Sequence, residues 1–265
     1  MSAVAGYRGA VAAAAVAAML GAGAAMAADQ TADQTADDEA ESLFDVYFGM
    51  AVTSDYLSRG ITQSDHAAAI QGYVEAIYGM FYIGGWASSV SFGGDKDIEF
   101  DFYFGVRPEV GDVAFDLGYT HYHYLNDPSF HFGEFYAFAD APVHDDATVG
   151  AKVYFAPDYA LSGTTATYVE ANADLTLPHD LGLSGAVGYQ VFDPAYGSSY
   201  LTWNLGLYYA LNDVATLDLR YSDTNLSPAA CGAIAVATTD CDARVLLTLS
   251  IDSAISSLGG GGDDE

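Results

Sequence analysis

Apolar and polar side chains alternate with a period of two along most of the chain beyond residue 43. In the 98–107 segment Ile98, Phe100, Phe102, Phe104 and Val106 hold one parity, and Glu99, Asp101, Tyr103, Gly105 and Arg107 hold the other. A period of two places these sets on opposite faces of a strand. A helix would set Phe100 and Phe102 on opposing sides, each beside a carboxylate. The alternation returns near 44–52, 113–120, 149–155, 168–175, 201–208, 216–221 and 245–250, and more weakly near 68–78, 81–90, 132–141 and 181–192. That makes twelve predicted strands.

The connections between them sort into two kinds. Short ones fall at 79–80, 108–112, 142–147, 178–180 and 211–213; longer ones fall at 54–66, 91–97, 125–131, 158–164, 193–199 and 224–242. They alternate along the chain, as an up-and-down meander with short turns at one rim and longer loops at the other requires. An even strand number, strands of about ten residues and asymmetric loops are the pattern of outer-membrane barrels. The predicted fold is therefore all-β: a transmembrane up-and-down antiparallel β-barrel of twelve strands, with both chain ends periplasmic.

A soluble sandwich or barrel also alternates. It would, however, turn the apolar rows inward, and twelve rows of Phe, Leu, Val and Trp overfill such an interior. Tyr78, Trp86, Tyr119, Trp203 and Tyr221 fall near strand ends, where an interfacial aromatic girdle is expected.

Composition fits this picture: 20 Tyr, 14 Phe and 28 Gly, with only 16% charged residues. The charge balance is extreme, 7 Lys+Arg against 36 Asp+Glu for a formal net charge of −29. Such a surface excludes nucleic acid as a partner and favours cations and cationic groups. Residues 1–27 read as a signal peptide, with Arg8 ahead of an apolar stretch and Ala25, Met26 and Ala27 forming a small-x-small cleavage pattern. Residues 28–42 read as a disordered acidic leader, 43–252 as the barrel and 253–265 as a disordered acidic tail. Beyond the signal, no run is apolar and long enough for a spanning helix. Cys231 and Cys241 lie in one small-residue loop and are expected to form a local disulfide.

The segment TSDYLSRGITQS at 53–64 resembles the signature of the TorF-type porin family of proteobacteria, with supporting matches AIQG at 69–72, WASSV at 86–90 and EFDFYFG at 99–105. The likeness is strongest over the first third of the chain. It implies an outer-membrane barrel and a pore without an assigned solute. The sequence departs from the family pattern at Ser58, where an aromatic is usual, and in lacking an aromatic at the end of the last strand.

If the polar parity faces the lumen, the inward acids are Asp45, Glu75, Glu99, Asp101, Asp116, Glu134, Asp140, Glu170, Asp174 and Asp218, and the inward bases are Arg107, Lys152 and Arg220. Pairing with the bases would absorb three acids and leave an acidic lumen that concentrates cations. Asp101 and Asp116 are expected at a similar depth, reinforcing each other's field, with Arg107 poorly placed to neutralise them. The inward tyrosines read as packing against inward glycines. Asp55, Tyr56, Arg59 and Gln63 form a loop motif at the outer mouth. That loop either folds inward as a constriction, with Arg59 opposing lumenal acids, or is an ordinary loop held by an Asp55–Arg59 pair.

His121 and His123 share one parity, but no third ligand is visible, and a rim position beside the aromatics is the favoured reading. No metal and no cofactor is expected. The motifs of common hydrolases, nucleotide-binding loops and haem attachment are absent from the sequence. The sequence reading is a porin, not an enzyme, passing small hydrophilic solutes with a cation bias. A barrel with a closed lumen is the alternative, and a barrel-borne lipid-modifying enzyme a weaker one. The partners this implies are outer-membrane lipid and lipopolysaccharide, the barrel-assembly machinery, and small hydrophilic or cationic solutes.

Overall fold

The structure, a computed structural model, describes residues 43–93 and 95–258. The predicted signal peptide, the leader and the last seven residues of the tail lie outside them. Twelve long strands run through the described residues: β1 (Phe44–Thr53), β2 (Ala69–Tyr78), β3 (Phe81–Phe92), β4 (Asp95–Val106), β5 (Val113–Tyr124), β6 (Phe132–His144), β7 (Ala147–Ala156), β8 (Ala166–Leu177), β9 (Leu181–Phe192), β10 (Tyr200–Asn212), β11 (Ala215–Thr224) and β12 (Arg244–Ala254). Each pairs antiparallel with its neighbours in sequence, and β1 also pairs with β12, with Met50 opposite Ile251. The sheet is thereby closed, and none of these twelve strands keeps an unpaired edge that would have to be satisfied in hydrocarbon.

Parity decides the faces as the alternation predicts. On β4, Ile98, Phe102 and Phe104 are exposed on the outside while Glu99, Asp101 and Tyr103 are buried within. Met50, Val52, Ile70, Val74, Ile83, Phe135, Val187, Leu205, Leu219 and Leu247 continue the apolar exterior around the wall. A water-facing barrel would bury such a band; here it is the surface, as lipid requires. Phe44, Tyr78 and Phe81 lie side by side across β1, β2 and β3 at the rim of the short turns. Phe102 is 56% exposed in the middle of β4. Phe102→Arg is therefore expected to cost roughly 2–4 kcal/mol in a membrane-refolding titration, against a small loss for Phe102→Leu. Equal stability of the two variants would mean that this row does not face lipid.

Several expectations need correction. The 91–97 connection is not a long loop, because Ser91 pairs with Lys96 and Phe92 with Asp95. Gly93 takes a positive φ of 66° at this turn, which a side chain would disfavour. The strict alternation of loop lengths therefore fails at β3–β4. Trp86 is not part of a girdle: it shares parity with Tyr82 and Ser88 and lies in the lumen, 1% exposed. At the C-terminal end, β12 runs to Ala254, and Ile255–Leu258 form a helical turn whose Ser256 hydroxyl donates to Asp45. That contact ties the segment predicted as tail to the base of the wall.

Tyrosines fill the interior beside glycines, as read from the sequence. Gly84 faces Tyr103, Gly105 faces Tyr82, Gly118 faces Tyr136 and Gly182 faces Tyr208 in register across neighbouring strands. A Cβ at Gly84 would collide with the Tyr103 ring, so the ring lies flat on the bare backbone opposite.

The candidate pore lumen and its constriction

The first outer loop, between β1 and β2, turns into the barrel. Its tip is a two-residue hairpin in which Leu57 pairs with Thr62 and Ser58 with Ile61. The turn residues Arg59 and Gly60 both carry positive φ, 49° and 80°, the backbone of a type I′ turn. Glycine is needed at position 60 twice over, since a Cβ there would collide with the Thr224 methyl. Asp55 holds the base of the loop: its Oδ1 accepts from the Thr62 hydroxyl at 2.6 Å and the Ser64 hydroxyl at 2.8 Å. Gln63 is a loop brace, its side chain donating to Ile61 and Thr62 carbonyls and its own carbonyl accepting from Ser91 N–H. The motif residues thus do two jobs, shaping the loop and presenting Arg59.

Arg59 is the centre of the outer network. Its two terminal nitrogens donate to the two Glu134 oxygens at 2.9 and 2.7 Å, and Nη1 also reaches Gln190 at 3.3 Å. The guanidinium stacks between the Tyr154 and Tyr168 rings, 4.8 and 4.9 Å from their centroids. Tyr122 donates to Glu134 and Tyr200 donates to the Arg59 carbonyl. Burial opposes the charge on Arg59, but the Glu134 carboxylate, its hydrogen bonds and the nearby phenols together outweigh it and raise the guanidinium pKa, so Arg59 stays charged. Tyr56, packed edge-on against Trp86, donates to Glu99 at 2.9 Å. Burial and the Glu99 charge raise the phenol pKa, which keeps it a donor. The loop turns inward and Arg59 meets a lumenal acid, while Asp55 and Arg59 do not pair.

A second network lies near the rim of the short turns. Arg107 forks onto Glu75 at 2.6 and 2.9 Å, donates through Nε to Asp116 at 3.1 Å, and stacks over Tyr82 at 3.8 Å. Tyr82 in turn bonds Asp116 and Tyr136. This overturns the expectation for Asp101 and Asp116. Asp101 lies opposite Tyr122, whereas Asp116 is level with Arg107, beyond the pair of Val106 with Leu117. Six residues of strand separate the two acids, roughly 20 Å, so they do not reinforce each other, and Arg107 neutralises one of them directly.

On the opposite wall Arg220 binds Asp218 at 2.9 Å, with Asn204 and Ser184 as further partners, while Tyr208 donates to Asp174. Lys152 sits 3.5 Å from Glu170. Five acids, not three, are therefore paired with bases: Glu134, Glu75, Asp116, Glu170 and Asp218. Glu99, Asp101, Asp140, Asp174 and Asp252 have no ion pair among the described residues. Asp252 and Gln190 are lumenal groups that the sequence reading missed, although both lie on the polar parity of their strands. Asp101 keeps a buried Oδ1 without a hydrogen-bond partner.

The longest outer loop, between β11 and β12, covers the constriction loop from above. The Cys231–Cys241 disulfide is formed, with Cα atoms 5.9 Å apart. It staples this loop after the helical turn Pro228–Cys231, and Thr62 N–H donates to the Asp240 carbonyl across the two loops. His121 and His123 lie near the outer end of β5 on the outward parity, as the rim reading has it. A third histidine joins them: the His131 ring lies 4.0 Å from His123 and 6.3 Å from His121.

Residues 37–251 match Gcw_chp, described as a bacterial protein family of unknown function. The chain belongs to the Gcw_chp family. No curated protein matches the sequence. Among solved structures, the KdgM porin is 10% identical, with 78% of this chain and 98% of that chain covered at a TM-score of 0.53. A KdgM porin in complex with disordered oligogalacturonate gives the same values: 10% identity, 78% and 98% coverage, TM-score 0.53. An outer membrane channel from Pseudomonas putida F1 is 8% identical, covering 80% of this chain and 94% of that one at a TM-score of 0.46. The likeness to KdgM shows a shared fold, that of an outer-membrane porin barrel.

Proposed function

We propose that this Gcw_chp protein is an outer-membrane channel that passes small hydrophilic solutes with a bias toward cations. The observation that carries the reading is the first outer loop, folded into a lumen of charged and hydroxyl-bearing side chains and anchored there by Arg59 on Glu134. A loop anchored across the bore by Arg59 on Glu134 is a size-selecting constriction. Beside it stand Glu99 and Asp101, acids with no ion pair among the described residues, and carboxylates at a narrow point govern which ions enter when they are ionised. The resemblance of residues 53–64 to TorF-type porins points the same way. The solutes that fit are neutral or cationic; a polyanion such as the oligogalacturonate of the KdgM complex is disfavoured here by the excess of carboxylates. The protein works without turnover, as a passive path.

The tight burial of Trp86, Tyr103 and Tyr136 on one side of the interior favours the second reading, a barrel closed by its own side chains. Conductance across a planar bilayer separates the two. Discrete open levels, with a reversal potential of cation-selective sign under a salt gradient, are expected. Silence would leave the closed barrel. In a conducting protein, Glu99→Gln with Asp101→Asn is expected to move the reversal potential toward zero. The shift should fade at high salt, where screening shortens the reach of a fixed charge to about 3 Å at 1 M. An unchanged potential in the double variant would remove these acids from selectivity.

A further inference from the structure

The base of the constriction loop and the disulfide loop meet at a cluster that none of the networks above uses. Asp65 and His66 come from the first loop and Asp240 from the last, and one ligand atom of each lies within 4.8 Å of the others. Asp240 is 4% exposed; its Oδ2 accepts from Ala237 N–H, but its Oδ1 has no hydrogen-bond partner and faces His66 Nε2 at 3.3 Å. On the other side of the imidazole, Asp55 Oδ2 is likewise buried without a hydrogen-bond partner, 3.8 Å from His66 Nδ1 and 3.6 Å from Arg244 Nε. Arg244 Nε is a third orphan, while its Nη2 lies 2.6 Å from His66 Nδ1 and 3.3 Å from Nε2 and donates to the Thr239 carbonyl at 2.9 Å. Two buried carboxylate oxygens without a hydrogen bond thus face the two nitrogens of one ring, and the unbonded Arg244 Nε faces one of those oxygens, a costly arrangement unless something completes it.

We propose that His66, Asp65 and Asp240 bind a divalent transition metal, of the zinc or manganese class, at the outer mouth. One imidazole and two carboxylates make a donor set suited to such ions, and three protein ligands leave a position for water. Charge agrees: Asp55, Asp65 and Asp240 against Arg244 leave two negative charges, which a divalent cation neutralises. The second shell agrees as well. Ligation through Nε2 requires the proton on Nδ1, and Nδ1–H then points at the orphaned Asp55 Oδ2, giving a carboxylate–histidine–metal arrangement that fixes the tautomer. Arg244 Nη2 releases both ring nitrogens, keeps Thr239, and the arginine turns its free Nε to the same Asp55 oxygen. All three orphans are satisfied at once. The ligand atoms must close to about 3.4 Å spacing for tetrahedral bonds. Asp65 and His66 lie on an exposed stretch of loop that can supply this movement.

The site stands whether or not the barrel conducts, and binding is read directly. Chelator-stripped protein in detergent is titrated with ZnCl2 and with MnCl2 by calorimetry, with the heat-modifiable gel shift confirming a folded barrel. Wild type is expected to bind one equivalent of at least one of the two metals. His66→Gln should abolish that binding, and Asp65→Asn, at an exposed position, should weaken it without touching the fold. Asp55→Asn should weaken it roughly 10–100-fold, as loss of an outer-shell carboxylate does. His123→Ala, in the other histidine cluster, should bind as wild type. The absence of stoichiometric binding of either metal overturns the proposal. Binding that survives His66→Gln and Asp65→Asn, or is lost in His123→Ala, overturns it too.

Discussion

Arg107→Leu is expected to lower the stability of the barrel by roughly 3–5 kcal/mol, the range for removing one partner of a buried ion pair. The guanidinium serves two carboxylates, Glu75 and Asp116, and lies flat on Tyr82. Without it, both acids stay inside the wall, and neither strand end can swing out to hydrate them, because β2 and β5 are paired on both sides. Arg107→Lys should recover only part of the loss, since an ammonium cannot fork onto Glu75 and reach Asp116 together. A urea titration in lipid, read by the heat-modifiable gel shift, measures the series. Adding Glu75→Gln and Asp116→Asn to Arg107→Leu should restore much of the stability, because the cost lies in uncompensated charge. If the triple variant is no better than Arg107→Leu, the arginine acts by packing on Tyr82 instead.

The strand count and the assignment of faces were legible because both rest on a local rule. Parity along β4 separates Phe102 from Asp101 whatever the rest of the chain does. Pairing was legible only where sequence neighbours pair. The Gly84–Tyr103 and Gly105–Tyr82 contacts follow from a hairpin, and the sequence reading reached their physical meaning. Relative depth was not: placing Asp116 level with Arg107, away from Asp101, depends on the register across the 107–112 turn. Trp86 shows the limit of position without parity, since nearness to a strand end says nothing about which face a ring takes. The predicted loop at 91–97 failed for a related reason. Its Ser, Gly and Asp residues look like a loop, yet β3 runs on to Phe92 and β4 starts at Asp95. The partners of the 53–64 motif lay beyond any local rule. Glu134, Gln190 and Tyr200 come from β6, β9 and β10, and only closure of the barrel brings them to Arg59. The same holds for Asp240 and His66, which meet because two loops distant in sequence are neighbours around a closed wall.

Arg59→Ala is expected to behave differently from Arg107→Leu, although each removes a buried guanidinium. Glu134 is fully buried beneath the loop, so the loss of Arg59 removes roughly 3–5 kcal/mol from the docked state. Here the structure has an escape. The hairpin at 57–62 can lift away and let water reach Glu134, so the penalty falls on docking of the loop and spares the wall. A loss of that size shifts the docking equilibrium by roughly two to three and a half orders of magnitude, at 1.4 kcal/mol per tenfold. The disulfide loop still caps the assembly through Thr62 and Asp240, so the hairpin is released at its tip while its base stays tethered. Three readouts follow. Barrel unfolding in urea should change little, a spin label at Ser58 should gain mobility, and single-channel conductance should rise as the bore is cleared. Arg59→Lys should fall between, keeping the charge for Glu134 but losing the second hydrogen bond and the stacking on Tyr154 and Tyr168. A mobile label with unchanged conductance would show that the loop is not the narrowest point, and that the limit lies lower, at the Arg107 network. An immobile label would show that the hairpin is held by its other contacts, Tyr200 on the Arg59 carbonyl and Tyr56 on Glu99, and not by the ion pair.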